Sequence, residues 1–248
     1  MQKKYVSELN PNVSVDCVIF GFDLEKLNVL VIDRGENQVA ENVRLALPGN
    51  LIYNNENLEQ AACRVLEELT SLKDIYLEQI GAFGDPNRIC KEADKAWLHS
   101  NRAEPEARVI TVAYFSLVKM EDYMPHAASF AKNAIWIPAS EITDLAFDHY
   151  DILQAARNRL KEKIKIQPIG FNLLPEKFTL SQLHKLYESI LDKDLDKRNF
   201  RRKVQKLDIL TQLNEKQEGV PHKPSELYKF NEEKYQEVTQ NGYDNFGF

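Results

Sequence analysis

At 248 residues, 43% of them hydrophobic, the chain suits one large domain or two modest ones, at roughly 100 to 200 residues each. No apolar run approaches a membrane span, the N-terminal MQKKYVSELNPNVSVDC lacks the apolar core of a signal peptide, and a cytoplasmic location is expected. The formal net charge of −6 is the background for one basic segment, while three separated cysteines (Cys17, Cys63, Cys90) and five scattered histidines form no metal, redox or triad pattern; buried free thiols are expected.

In chain order, β-branched runs predict strands over Val13 to Phe22 and Leu27 to Asp33, joined by a turn containing Asp23. A helix follows at about Leu58 to Thr70, because Leu58, Ala61, Ala62, Val65, Leu66 and Leu69 recur at threes and fours as one apolar face. Strands are predicted next over Ile75 to Phe83 and Val109 to Lys119. The charged stretch between them, Asp85 to Arg108, reads as a long irregular loop, which in a compact domain is usually functional. Trp136 to Pro138 reads as a short edge strand, and Tyr150 to Lys163 as a helix with Ile152, Ala155, Ala156 and Leu160 inward.

The character then changes. Residues 166–175, IQPIGFNLLP, carry Pro168, Gly170 and Pro175, breakers expected of a linker. Thr179 to Leu191 is an amphipathic helix with Thr179 as N-cap and Leu180, Leu183, Leu186, Tyr187 and Ile190 on one face. After a polar turn, Asp192 to Asp194, Asp196 caps a second helix with Phe200, Val204 and Leu207 as its buried stripe. Between Lys197 and Lys206 six residues are basic (Lys197, Arg198, Arg201, Arg202, Lys203, Lys206) and none is acidic. Leu210 to Lys216 and Glu226 to Phe230 read as two strands around the loop Gln217 to Ser225. A basic second helix across a tight turn, followed by a hairpin, has the layout of a winged helix-turn-helix, whose second helix enters the major groove. A basic helix can also be a solvated face or engage an acidic protein.

One stretch carries an interrupted chemical pattern. Residues Leu47 to Leu72, LPGNLIYNNENLEQAACRVLEELTSL, place Glu56, then seven residues, then Arg64, Leu66 and Glu68 in the frame of the Nudix box of pyrophosphate-cleaving hydrolases. The pattern resembles that box with four diagnostic positions changed: Asn50 and Ser71 stand for glycines, Val65 and Leu69 for glutamates. Carboxylates at 65, 68 and 69 would converge on one side of a helix, and only Glu68 remains. Mg²⁺ takes an octahedron of oxygens, so Glu68 with Glu56 would hold it weakly. Glu67 points about 100° away around the helix. On spacing alone, Arg64 and Glu68 are also an ordinary i, i+4 surface ion pair.

Taken together, LPGN at 47–50, FGDPNR at 83–88, VITVAYFSLV at 109–118, LAFDHYDIL at 145–153 and LLPEKFTLSQLHKLYESIL with DLDKRNFRRKVQKL across 173–207 resemble the NrtR-like, Nudix-related transcriptional regulators. The resemblance implies an α+β class: an N-terminal Nudix-like α/β/α sandwich over 1–165, a linker over 166–175 and a winged helix-turn-helix over 176–248. It implies a homodimeric, effector-responsive regulator that binds an operator in double-stranded DNA; with Val65 and Leu69 in place of metal-binding glutamates, no catalytic residues, no metal and no other cofactor are expected. In such a fold the pocket lies between sheet and box helix, so Arg34, Leu47, Asn50, Glu56, Arg64, Glu68 and Asp85 are expected at it or its rim. DNA contact is expected from Lys197, Arg198, Asn199, Arg201, Arg202, Lys203 and Lys206, with Arg198, Asn199 and Arg202 at bases and Lys203 and Lys206 at phosphates. Family branches look to ADP-ribose or to arabinose utilisation. With metal carboxylates depleted, a pentose such as L-arabinose is placed ahead of ADP-ribose, and repression of sugar-utilisation genes is the corresponding role. The alternative is a Nudix hydrolase acting on ADP-ribose or a related nucleoside diphosphate derivative.

Overall fold

The computed structural model describes residues 8–34, 45–73, 75–120, 133–167, 169–221 and 223–240. Strands β1 (Leu9–Phe22) and β2 (Leu27–Asp33) form a hairpin. The turn is set by Asp23, whose Oδ1 accepts the Glu25 and Lys26 N–H groups at 2.9 and 2.7 Å, the local competition that makes Asp a turn residue. Every residue of β2 is buried, as a strand covered on both faces requires.

With β3 (Leu45–Ala46), β4 (Gly49–Tyr53), β5 (Glu78–Phe83), β6 (Ile110–Leu117) and β7 (Asn133–Pro138), these strands make a sheet ordered β3-β2-β1-β6-β5. Strand β4 pairs with β1, and β7 runs antiparallel to β2 from Asn28↔Pro138 to Asp33↔Asn133. Helix α1 (Leu58–Thr70) begins in a reciprocal capping box: Asn57 Oδ1 accepts the Gln60 N–H at 2.8 Å, and Gln60 Oε1 accepts the Asn57 N–H at 3.0 Å. Its buried face is Ala61, Ala62, Val65, Leu66, Leu69 and Thr70.

The segment expected as an irregular loop contains helix α2 (Glu92–Asn101). Its buried positions are Leu98 and a carboxylate, Asp94, rather than an apolar stripe. A helix anchored by a buried ion pair leaves no hydrophobic period to read. Helix α3 (His149–Ile166) buries Ile152, Leu153, Ala156, Leu160 and Ile164; Ala155 is only partly covered, and Leu153 takes its place. None of the cysteines is in a disulfide, and only Cys17 is buried; Cys63 and Cys90 are exposed. This corrects the expectation for those two, since Cys63 falls on the outer face of α1, between buried Ala62 and half-buried Arg64.

The chain forms two compact units whose last boundary falls within α3, between Ala156 and Arg157; the second unit also takes in Gly21–Leu27 and the stretch from Leu117 at the end of β6. In the second unit, the Pro- and Gly-bearing segment holds a short 3-10 helix, Ile169–Leu173, with Gly170, Leu173 and Leu174 buried. Helix α4 (Leu180–Leu191) starts in a capping box of Thr179 with Gln182 and buries Leu183, His184, Leu186, Tyr187 and Ile190. Helix α5 (Lys197–Leu207) is capped by Asp196 and buries Phe200, Val204 and Leu207. Strands β8 (Leu210–Lys216) and β9 (Glu226–Phe230) form an antiparallel hairpin, to whose edge Phe178 adds a bridge at Tyr228. Helix α6 (Glu232–Gln240), which the sequence reading did not include, follows. Its Tyr235 packs with Phe230, Phe171 and Leu210 against Leu207 and Ile209. Among the described residues no helix is long and apolar enough to cross a membrane.

Candidate functional site

The retained part of the box forms a closed ionic clamp. Arg64 lies over the Tyr53 ring at 4.4 Å and donates to Glu56 through Nε and Nη2 at 2.9 and 2.6 Å. It also donates to Glu68 Oε2 at 3.0 Å and the Leu51 carbonyl at 3.1 Å. Glu56 accepts the Tyr53 N–H at 2.7 Å as well. Burial raises the Glu56 pKa, but hydrogen bonds from Arg64 and Tyr53 and the guanidinium charge outweigh it, so the carboxyl sits below its ordinary value. Val65 and Leu69, at the altered glutamate positions, are 0% and 1% exposed.

Mg²⁺, as the hydrolases of this box would use it, does not fit here. Its oxygen ligands would have to come from carboxylates already bound to Arg64, next to two buried aliphatic side chains. Among the described residues no group of three or more His, Cys, Asp or Glu could hold a metal ion.

A cleft forms elsewhere in the same unit. Of the expected pocket residues, Arg34, Leu47 and Asn50 line it. Glu56, Arg64 and Glu68 are not among its lining; they are occupied in the clamp. Asp85 lines a neighbouring cleft and turns its own loop by accepting the Asn87 N–H at 2.7 Å.

The cleft is organised by buried ion pairs. Arg34 Nη2 donates to Asp94 Oδ1 at 2.8 Å, with the two side chains 4% and 0% exposed. Asp94 Oδ2 also accepts the Phe147 N–H at 2.6 Å, holding Phe147 at φ 54°. The Arg34 guanidinium lies 5.0 Å from the Trp97 ring centroid and 4.8 Å from that of Phe147. These two rings meet edge to face at 6.1 Å. Burial lowers the Arg34 pKa, with Asp94 pulling the other way. Asp94 on α2 thereby ties together the end of β2 and the entry to α3.

A second network forms the floor. Arg88 donates to Asp148 through Nε and Nη2 at 2.9 and 2.7 Å, the bidentate geometry in which arginine binds carboxylates most strongly. It also lies 3.6 Å from Asp16 Oδ2. The Leu47 N–H donates to His149 Nδ1 at 3.0 Å, so the ring proton belongs on Nε2, which faces Asp16 Oδ1 at 3.4 Å. Burial holds the His149 pKa below its ordinary value, against the pull of Asp16 and Asp148.

Asp16 pairs across the strands with Gly49, and a Cβ at 49 would lie 1.8 Å from Asp16 Oδ1. Glycine is therefore demanded one position before the altered box residue Asn50. A third cation, Arg102, completes the lining.

Counting its open mouth, the cleft holds about 530 Å³, of which about 40 Å³ is clear for the centre of a water molecule. The neighbouring cleft, about 690 Å³ and 240 Å³ by the same measures, shares Arg88, Ile89 and Val109 with it. Each full volume falls in the range of small-molecule sites. The sequence reading missed Asp16, Arg88, Trp97, Arg102, Phe147 and His149 as site residues. FGDPNR and LAFDHYDIL contained three of them.

In the second unit, all seven expected DNA-contacting residues are exposed on α5, and Arg202 Nη2 donates to Asn199 Oδ1 at 2.9 Å. The turn before this helix is fixed from below. His184 Nε2 meets the Leu195 carbonyl at 2.7 Å, Glu188 accepts the Leu195 N–H at 2.9 Å, and Phe200 packs edge to face on His184 and Tyr187. The basic row is thus displayed on a helix whose preceding turn is held by side-chain hydrogen bonds and ring packing.

Residues 170–230 match the family described as the NrtR DNA-binding winged helix domain. The chain is 30% identical over 225 residues, 89% of its length and 82% of the relative's, to the ADPR responsive transcriptional repressor NtrR of Acinetobacter baylyi. It is 27% identical over 152 residues to the ADP-ribose pyrophosphatase of Methanocaldococcus jannaschii, covering 61% of this chain and 76% of that one. Among solved structures it is similar to Shewanella oneidensis NrtR complexed with a 27mer DNA, with a TM-score of 0.65 and 26% identity over 90% of this chain and 95% of that one.

Proposed function

The chain belongs to the NrtR family of Nudix-related, effector-responsive DNA-binding transcriptional regulators, and on that premise we propose that its effector is ADP-ribose, bound and not cleaved. The observation that carries this reading is the cleft itself: three guanidinium groups and an aromatic pair, Trp97 and Phe147, gathered in one place. The pentose expected from the sequence rested on Asn50 and carboxylates as partners for hydroxyl groups, and on the depletion of the metal ligands that would otherwise help hold a diphosphate. Arginines line the cleft here, and Arg102, with no ion-pair partner among the described residues, offers a planar, multiply donating group that suits a diphosphate better than a neutral sugar. The same depletion of metal carboxylates argues for sensing without turnover, because hydrolysis needs a metal to activate water and neutralise the leaving group.

The protein acts in this reading as a repressor, as the A. baylyi relative is named. It works as a homodimer whose two α5 helices face the half-sites of a near-palindromic operator, with residues 1–165 as sensor and 176–248 as DNA-binding domain. Arg198, Asn199 and Arg202 read bases, and Lys203 and Lys206 meet phosphates.

The test is release of operator DNA followed by fluorescence anisotropy, with ADP-ribose, L-arabinose and D-xylose titrated in turn and product formation followed in Mg²⁺. ADP-ribose alone should shift the DNA equilibrium and be recovered intact. Release by L-arabinose alone would reject the proposal. Cleavage of ADP-ribose that is lost in Glu68→Gln would return the hydrolase reading.

A further inference from the structure

Three arginines line the cleft, and two are committed to the protein. Arg34 is bound to Asp94, and Arg88 to Asp148 with Asp16 beside it. Arg102 differs. It caps the C-terminus of α2, where its backbone N–H closes the last turn on the Leu98 carbonyl at 2.8 Å. Its guanidinium has no hydrogen bond or ion pair among the described residues. The side chain is half-buried and faces the cleft. Burial lowers its pKa, with the Asp16 charge opposing and the Arg88 charge adding to the effect. A cation taken partly out of water without a partner is costly to the folded state. An anion delivered to it recovers that cost in the bound complex, and an arginine fork matches two phosphate oxygens at once.

We infer that Arg102 is the effector's anion ligand: it receives the diphosphate of a nucleoside diphosphate sugar directly, in place of a metal ion, while Arg34 and Arg88 shape the cleft as bound pairs. The inference rests on the sensor reading proposed above and adds a division of labour to it. Removing Arg102 orphans no carboxylate among the described residues, so it should weaken the ligand and spare the fold. Removing Arg34 or Arg88 strands a buried acid and should damage the fold itself.

Calorimetry on the full-length protein with ADP-ribose, in EDTA and then in Mg²⁺, tests this on wild type, Arg102→Ala and Arg102→Lys, alongside ligand-free thermal unfolding. Wild type should bind equally in both buffers. Arg102→Ala should bind roughly 10- to 100-fold more weakly, the range for losing a charge-assisted hydrogen bond pair, with an unfolding temperature no lower than wild type. Arg102→Lys should fall between them. Wild-type affinity in Arg102→Ala, or wild-type binding that requires Mg²⁺, overturns the inference while leaving the sensor reading intact. So does an Arg102→Ala protein that melts well below wild type, because Arg102 would then be a structural group. A wild-type protein that binds no ADP-ribose in either buffer rejects the sensor reading and this inference with it.

Discussion

The cleft and helix α5 use the same residue type in opposite ways. Arg34 and Arg88 have side chains 4% and 6% exposed, each locked to a carboxylate. Arg198, Arg201 and Arg202 stand exposed on α5, where the bond made by Arg202 is to the neutral amide of Asn199. A buried, paired arginine has its charge neutralised locally and its fork fixed in direction. It selects by shape, and its removal is felt by the fold. An exposed row keeps its full charge on mobile side chains and meets a polymeric anion by releasing counterions, so its contribution depends on salt. In the proposed reading one chain thereby addresses a small effector and a duplex with one functional group, and burial decides which.

The contrast breaks most visibly at α5. Arg198→Ala with Arg202→Ala should cost about 1–3 kcal/mol per lost base contact, together roughly 30-fold to more than 10,000-fold in operator affinity. The unfolding temperature should hold, since neither side chain is buried. Anisotropy at fixed salt checks this, and unchanged affinity would move base reading away from α5.

Arg34→Ala tests the other side of the contrast. It leaves Asp94, 0% exposed, without its counter-charge, and breaking such a buried pair costs about 3–5 kcal/mol of stability. Urea unfolding should show the loss, and Arg34→Met with Asp94→Leu should recover most of it. A double variant no more stable than the single would show that the pair is not the source of the cost.

The smallest effect belongs to Lys206→Ala, expected to weaken all DNA sequences alike and to lower the slope of log affinity against log salt by about one. A slope that does not move would place Lys206 off the phosphate backbone.

How far the sequence could be read follows from where its signals are local. Helix α1 and the two wing strands begin and end where the apolar period and turn residues placed them. Thr179 and Asp196 cap the helices they were read to cap. The exposure of the basic row on α5 follows from its period alone, because Phe200, Val204 and Leu207 must face inward. Each of these depends on residues within a few positions of one another.

The cleft was not readable in that way. Asp94 lies in a stretch whose charge suggested a loop, and its importance exists only because Arg34, 60 positions earlier, and the Phe147 N–H, 53 positions later, meet it in space. Arg102 carries no mark in the sequence that separates it from any surface arginine; its burial among other arginines is a product of packing. Glu56, Arg64 and Glu68 kept their spacing, but the fold turns them onto one another, and none of them lines the cleft. The sequence by itself determined the periodic elements, their caps and the charge of α5, because short-range sterics and hydrophobic period dictate them. Only the tertiary structure decided which charges are buried and with what partner, because burial and pairing are set by residues far apart in the chain.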